Sequence, residues 1–154
     1  LDGVNKHVKP EDILYFLGDF CFGGHTNIPS YRERIDCDTI RVCKGNHDNY
    51  IDRYDDYFEF IQDTITFEKQ KIYMTHYPQL SWLGSSKGYI NLHGHEHGAI
   101  NHLNTNCKRL DVGIDSAYLM FGEYRPFSLE EVIEINNKKP ISELGHHTKN
   151  TNVR

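Results

Sequence analysis

The run Lys44-Gly45-Asn46-His47-Asp48 constrains this chain more than any other. It follows Thr39-Ile40-Arg41-Val42-Cys43, a β-branched segment that stops abruptly at a glycine, as a buried strand does when it hands polar side chains to a loop. Open α/β sheets gather their ligands at that carboxyl end. Alone, Gly-Asn-His-Asp also suits a tight turn, because Gly and Asn tolerate positive φ and Asp caps a following helix. The rest of the chain repeats the pattern. Gly18-Asp19 closes the apolar run Ile13-Leu14-Tyr15-Phe16-Leu17, His76 follows Ile72-Tyr73-Met74-Thr75, and Gly94-His95-Glu96-His97 follows Tyr89-Ile90-Asn91-Leu92. Four apolar segments therefore end in Asp, Asn or His. These are the oxygen and nitrogen donors that suit divalent cations.

A chain of 154 residues can bury one sizeable core, so residues 1–135 read as a single domain and the Asn- and Lys-rich residues 136–154 as a loosely held tail. The net charge of -5 argues against a protein that holds a long nucleic acid by neutralising its backbone. Cys21, Cys37, Cys43 and Cys107 show no metal-ribbon or dense secreted spacing, which predicts reduced thiols and a cytoplasmic location. No apolar run is long enough to span a membrane. The start, Leu1-Asp2-Gly3-Val4-Asn5, reads as the middle of a helix, and the chain is expected to begin inside a longer protein.

Along the chain, Leu1, Val4 and Val8 sit at helical spacing before Pro10, and Ile28 to Ile35 suits a short helix with Pro29 in its first turn. Tyr50 to Tyr57 is expected to be helical, and Tyr57–Ile61 and Thr64–Glu68 to be strands. Lys69-Gln70 is the turn into the strand before His76. Tyr77 to Gly88 reads as a substrate-facing loop. Arg109–Gly113 and Glu131–Ile135 are further strand or strand-helix candidates. In an extended segment His95 and His97 would present both rings on one side, roughly 7 Å apart, a separation suited to two adjacent metals.

Taken in order, Gly18-Asp19, Gly45-Asn46-His47-Asp48, His76 and Gly94-His95-Glu96-His97 resemble the motifs of the calcineurin-like metallophosphoesterase superfamily, in its small single-domain bacterial and phage form. The resemblance spans Val8 to Ile133. It implies a four-layer α/β/β/α sandwich of two mixed sheets. It also implies two divalent metal ions, with Asp19 bridging them, Asn46, His76 and His95 completing one site, and His97 serving the other. His47 would face the scissile phosphate, and Asp48 would hydrogen-bond it and fix its tautomer. The activity implied is hydrolysis of a phosphate ester by a hydroxide held between the cations, with His47 assisting the leaving group. A small nucleotide-type phosphodiester is the expected substrate, with a phosphomonoester as the alternative and a non-catalytic, protein-binding scaffold as the rival from another class. Manganese, iron, nickel or zinc would suit the donor set.

One departure stands out. The superfamily's opening Asp-x-His motif, which supplies the first metal, is absent, because His7 has no Asp two positions before it and His25 follows Asp19. The expectation is that an N-terminal strand lies outside this chain. Among the remaining residues, His93 is a packed or solvent-facing ring with a possible supporting role, and His102, His146 and His147 are surface groups. Tyr77, Trp82, Tyr89, Tyr118 and Tyr124 are candidates for stacking on a base, and Lys87 and Arg109 for contacting phosphate, although core and surface roles respectively explain them as well.

Overall fold

Alternation along the strands divides the apolar residues of this protein between two cores. In the computed structural model, which describes residues 1–142, β1 (Ile13–Phe16), β2 (Thr39–Cys43) and β3 (Phe60–Gln62) form one sheet in that order, parallel throughout. Leu14, Ile40 and Val42 point to its outer face, where Ile28, Ile35, Ile51 and Phe58 cover them, with Val4 and Val8 packed alongside. Helices α1 (Asp2–Asn5) and α2 (Ile28–Arg32) and the 3-10 turns of Ile51–Tyr57 supply that cover. Helix α2 is shorter than the span expected, and the stretch expected as a helix from Tyr50 breaks at Tyr54, whose φ of -123 is not helical.

The second sheet has the order β4 (Thr64–Phe67), β5 (Ile72–Thr75), β6 (Ile90–His93), β7 (Arg109–Asp111). A 3-10 turn at Glu68–Gln70 joins β4 and β5 as an antiparallel pair, and the remaining pairs are parallel. Ile65, Ile72, Met74, Ile90, Leu92 and Leu110 face the first sheet, and Cys43 and Leu17 join them in the core between the sheets. Tyr15 from one sheet stacks on Phe67 from the other, with ring centroids 6.5 Å apart. The chain crosses between sheets at Asp63, the residue separating β3 from β4. The architecture is two sheets with helices on an α/β plan, as expected.

The outer face of the second sheet is polar and buried. Thr75, Asn91, His93, Arg109 and Asp111 lie on it, none more than 8% exposed. Each finds partners in the loops that cover the sheet. Arg109 donates to Asn104 Oδ1 and to the carbonyls of Gln79 and Leu103, and Asn91 accepts from Gln79 N and donates to Tyr73 O. Arg109 is therefore neither a phosphate contact nor a solvated charge. The loop from Tyr77 to Gly88, expected to face substrate, folds back over this sheet instead, with Trp82 buried and its Nε1 donating to Tyr89 O. Only its first residue, Tyr77, borders the strand tips.

Glu131–Ile135 belongs to a helix, α4 (Leu129–Asn137), started by Ser128, whose hydroxyl accepts from Glu131 N while the Glu131 side chain accepts from Ser128 N. Its Val132 and Ile135 close one side of the inter-sheet core. Packing runs past the boundary expected at residue 135. Asn136 is fully buried, and Lys139 Nζ donates to the Arg109 carbonyl. Burial pushes the Lys139 ammonium down to about 8. Residues 143–154 of the expected tail, with His146 and His147, lie outside the described residues. No helix among the described residues is long and apolar enough to cross a membrane. The four cysteines are free, Cys37 and Cys43 buried and the other two half-buried.

Candidate metal centre at the strand tips

Parallel pairing within each sheet puts the carboxyl ends of β1, β2, β5, β6 and β7 on one side, so the loops after them converge. The convergence is close enough to need glycine. A Cβ on Gly18, whose φ is +95, would lie 2.2 Å from His76 Nδ1 and 2.7 Å from Gly45 Cα, and a Cβ on Gly45 would lie 2.4 Å from Asp19 Oδ1. Asp19 and His95 themselves sit at positive φ, 58° and 67°. Such backbone costs of order 1 kcal/mol or more for a non-glycine residue and persists where its surroundings enforce it.

Asp48 does the enforcing on the first sheet. Its Oδ2 accepts from Asp19 N and Gly45 N, each at 2.8 Å, and its Oδ1 accepts from Phe20 N at 2.7 Å. The expected hydrogen bond from Asp48 to His47 is therefore replaced by a clamp on the two loops, because a buried carboxylate takes whichever donors the fold presents and here these are backbone amides. His47 is exposed. Its own N–H donates to Asp19 Oδ1 at 2.9 Å, and its ring lies 6.2 Å from that of Phe22.

His76, 3% exposed, is the pivot. Its Nδ1 is 2.7 Å from the Leu17 carbonyl oxygen, which can only accept, so Nδ1 carries a hydrogen and Nε2 is the ring nitrogen turned towards the other loops. Around Nε2 lie Asn46 Oδ1 at 2.9 Å, His95 Nδ1 at 3.1 Å and Asp19 Oδ2 at 3.5 Å. A proton can bridge one pair of these atoms, whereas a divalent cation would satisfy all of them. Two ligands held about 2.1 Å from one cation are at most about 4.2 Å apart. The distances from His76 Nε2 all meet that limit, and Asp19, His76 and His95 form one cluster of possible ligands. The donor set thus fits a metal ion of the borderline kind.

His97 is not in this group. The Gly94–Gly98 segment is a tight turn rather than extended, with His97 at φ 49 and Glu96 N donating to Gly94 O, so the expected side-by-side pair of rings does not form. His97 Nδ1 instead meets Asp115 Oδ2 at 2.5 Å. That hydrogen bond, more than the charges of Asp115, Asp111 and Asp19, raises the His97 pKa. His93 is fully buried, with Nδ1 on Gly94 O and Nε2 near Asn104 Nδ2, and burial holds its pKa down.

Sequence reasoning missed Asp111, although it too ends a strand. Its carboxylate is fully buried and accepts from Gly98 N and Gly113 N, tying the His97 loop to the start of α3 (Ile114–Phe121). Of the candidate stacking aromatics only Tyr77 reaches the site, its ring centroid 4.9 Å from His76 and 4.4 Å from His95. Tyr118 and Tyr124 stack on each other. Cys43, beneath the site, is an inert core thiol whose pKa burial raises to about 11. An open cleft of about 340 Å³ adjoins the cluster, sharing Gly45 and Asn46 and bordered by Tyr50, Asp52, Asp63 and Tyr77.

The model of the calcineurin-like phosphoesterase family matches residues 1–154. The chain belongs to that family. Its members are metal-dependent phosphoesterases, and Asp19, His76 and His95 are this member's candidate metal site. Among curated proteins the chain is similar to an uncharacterized protein of Methanocaldococcus jannaschii, 27% identical over 143 residues that cover 89% of this chain and 73% of the relative. Among solved structures it is similar to a protein of unknown function from Aquifex aeolicus, with a TM-score of 0.59 and 20% identity over 87% of this chain and 81% of that one. The second likeness speaks to the fold.

Proposed function

We propose that this phosphoesterase hydrolyses a small phosphodiester of nucleotide type in the cytoplasm, using two divalent cations and with His47 assisting the leaving group. The observation that carries the reading is the convergence of Asn46 Oδ1, His95 Nδ1 and Asp19 Oδ2 on His76 Nε2. Cations bound there would supply a water acidic enough to be deprotonated near neutral pH, together with positive charge for the phosphate oxygens.

The chain's own residues would do the rest. Asp19, Asn46, His76 and His95 would hold one cation, and Asp19 with His97 would serve the other. Asp48, through Asp19 N and Gly45 N, keeps the first two loops in register before anything binds. His47, exposed at the rim and tethered through its N–H to Asp19, would donate a proton to the departing oxygen. The adjoining cleft would take the remainder of the ester, with Tyr77 as one wall.

Purified protein assayed with manganese should hydrolyse bis-p-nitrophenyl phosphate faster than p-nitrophenyl phosphate, and a chelator should abolish both activities. Faster monoester turnover would reverse the substrate preference. No turnover of either with manganese present would favour a binding scaffold on this fold.

A further inference from the structure

We infer that Asp115 is the positioning residue for His97: its carboxylate fixes the proton on His97 Nδ1 and thereby keeps Nε2 free as a donor for a cation. This rests on the proposed two-cation reading and adds to it a carboxylate drawn from α3, in the role that the sequence had suggested for Asp48 and His47.

Several contacts carry the inference. His97 Nδ1 and Asp115 Oδ2 are 2.5 Å apart, and a carboxylate only accepts, so the hydrogen lies on Nδ1. The two ring nitrogens face different directions, so committing Nδ1 to α3 turns Nε2 away from that helix. The backbone on both sides of the bond is also fixed. Gly98 N is held by Asp111 Oδ2 and Gly113 N by Asp111 Oδ1, so one buried carboxylate sets the loop and the start of α3 against each other. Asn101 Nδ2 donates to Ser116 Oγ, and a Cβ on Gly98 would lie 2.7 Å from Leu119 Cδ1. The loop is seated on the face of α3 that carries Asp115. A carboxylate that orients a ligating histidine and raises its basicity is the common outer support of metal centres, and its loss typically weakens metal binding ~10–100-fold.

The test uses Asp115→Asn, His97→Ala, the double variant and Asp115→Glu. Long-range 15N–1H spectra of the metal-free wild type should show His97 protonated on Nδ1, and Asp115→Asn should shift it towards a mixture of tautomers. In manganese titrations Asp115→Asn should weaken one class of sites ~10–100-fold and spare the other. Adding it to His97→Ala should cost nothing more, and Asp115→Glu should recover part of the loss. Unchanged His97 spectra, additive losses, or equal weakening of both classes would overturn the inference. A wild-type protein that takes up no manganese yet shows the Nδ1 tautomer would instead sink the metal-centre reading under it.

Discussion

The tips of the two sheets are organised by the same device with different reserves. On the first sheet one buried carboxylate, Asp48, takes three amides and so fixes both loops that carry Asp19 and Asn46. On the second, buried Asp111 takes two amides, but the ring it serves, His97, leans on a partner in the open, with side-chain exposures of 70% for His97 and 41% for Asp115. An exposed pair of this kind contributes at most about 1 kcal/mol. The donors around His76 are therefore held before any ligand arrives, whereas His97 depends on a contact that water competes for.

The strongest way to break this comparison is to remove the clamps. Asp48→Ala leaves three buried or half-buried amides without an acceptor and should cost about 4 kcal/mol of stability, against about 3 kcal/mol for Asp111→Ala with two. Urea denaturation followed by the fluorescence of Trp82 measures both. Losses under about 1 kcal/mol at either site would mean that other contacts hold the loops.

A smaller effect sharpens the chemical side. His47→Asn removes a side chain that none of these clamps uses, so manganese binding and stability should be unchanged while turnover falls ~100-fold, about 2.7 kcal/mol of barrier. Full activity in that variant would take His47 out of the reaction.

The smallest effect is a control distant from both clamps. The Arg125 guanidinium chiefly, helped by Ser128 N–H, holds the Glu131 carboxyl below its ordinary range. A lowered folded value stabilises at pH above the unfolded value of about 4.3 and loses that contribution as pH falls through the folded value. The pair is partly exposed, so solvent screens it. Wild type should exceed Glu131→Gln by under about 1 kcal/mol at pH 7, and the gap should narrow as pH falls below about 4.3 and close once pH passes the folded value. An undiminished gap at pH ~3 would assign the effect to packing.

The strand tips were legible because an apolar run ending in glycine and a donor is a local signal, and the motif order made the family legible with it. The part played by Asp48 was not, because two of its partners are amides 28 and 29 residues away. The turn at His95 and His97 was hidden by residue type, since nothing about a histidine announces positive φ. Glu131–Ile135 is ambiguous by its β-branched residues, yet Ser128 and Glu131 three apart carry the capping signal that selects helix. Arg109 misled because a charged side chain is expected in water, and the carbonyls that receive it belong to loops whose path is set by the fold.

The polar outer face of the second sheet also guards its alignment. Because side chains alternate, a one-residue slip of β6 or β7 would drive Asn91, His93 or Arg109 into the hydrocarbon between the sheets and strand Leu92 or Leu110 among carbonyls. Misaligned pairings are thus penalised twice, so the strands that deliver His95 and Asp111 have a single tolerable offset.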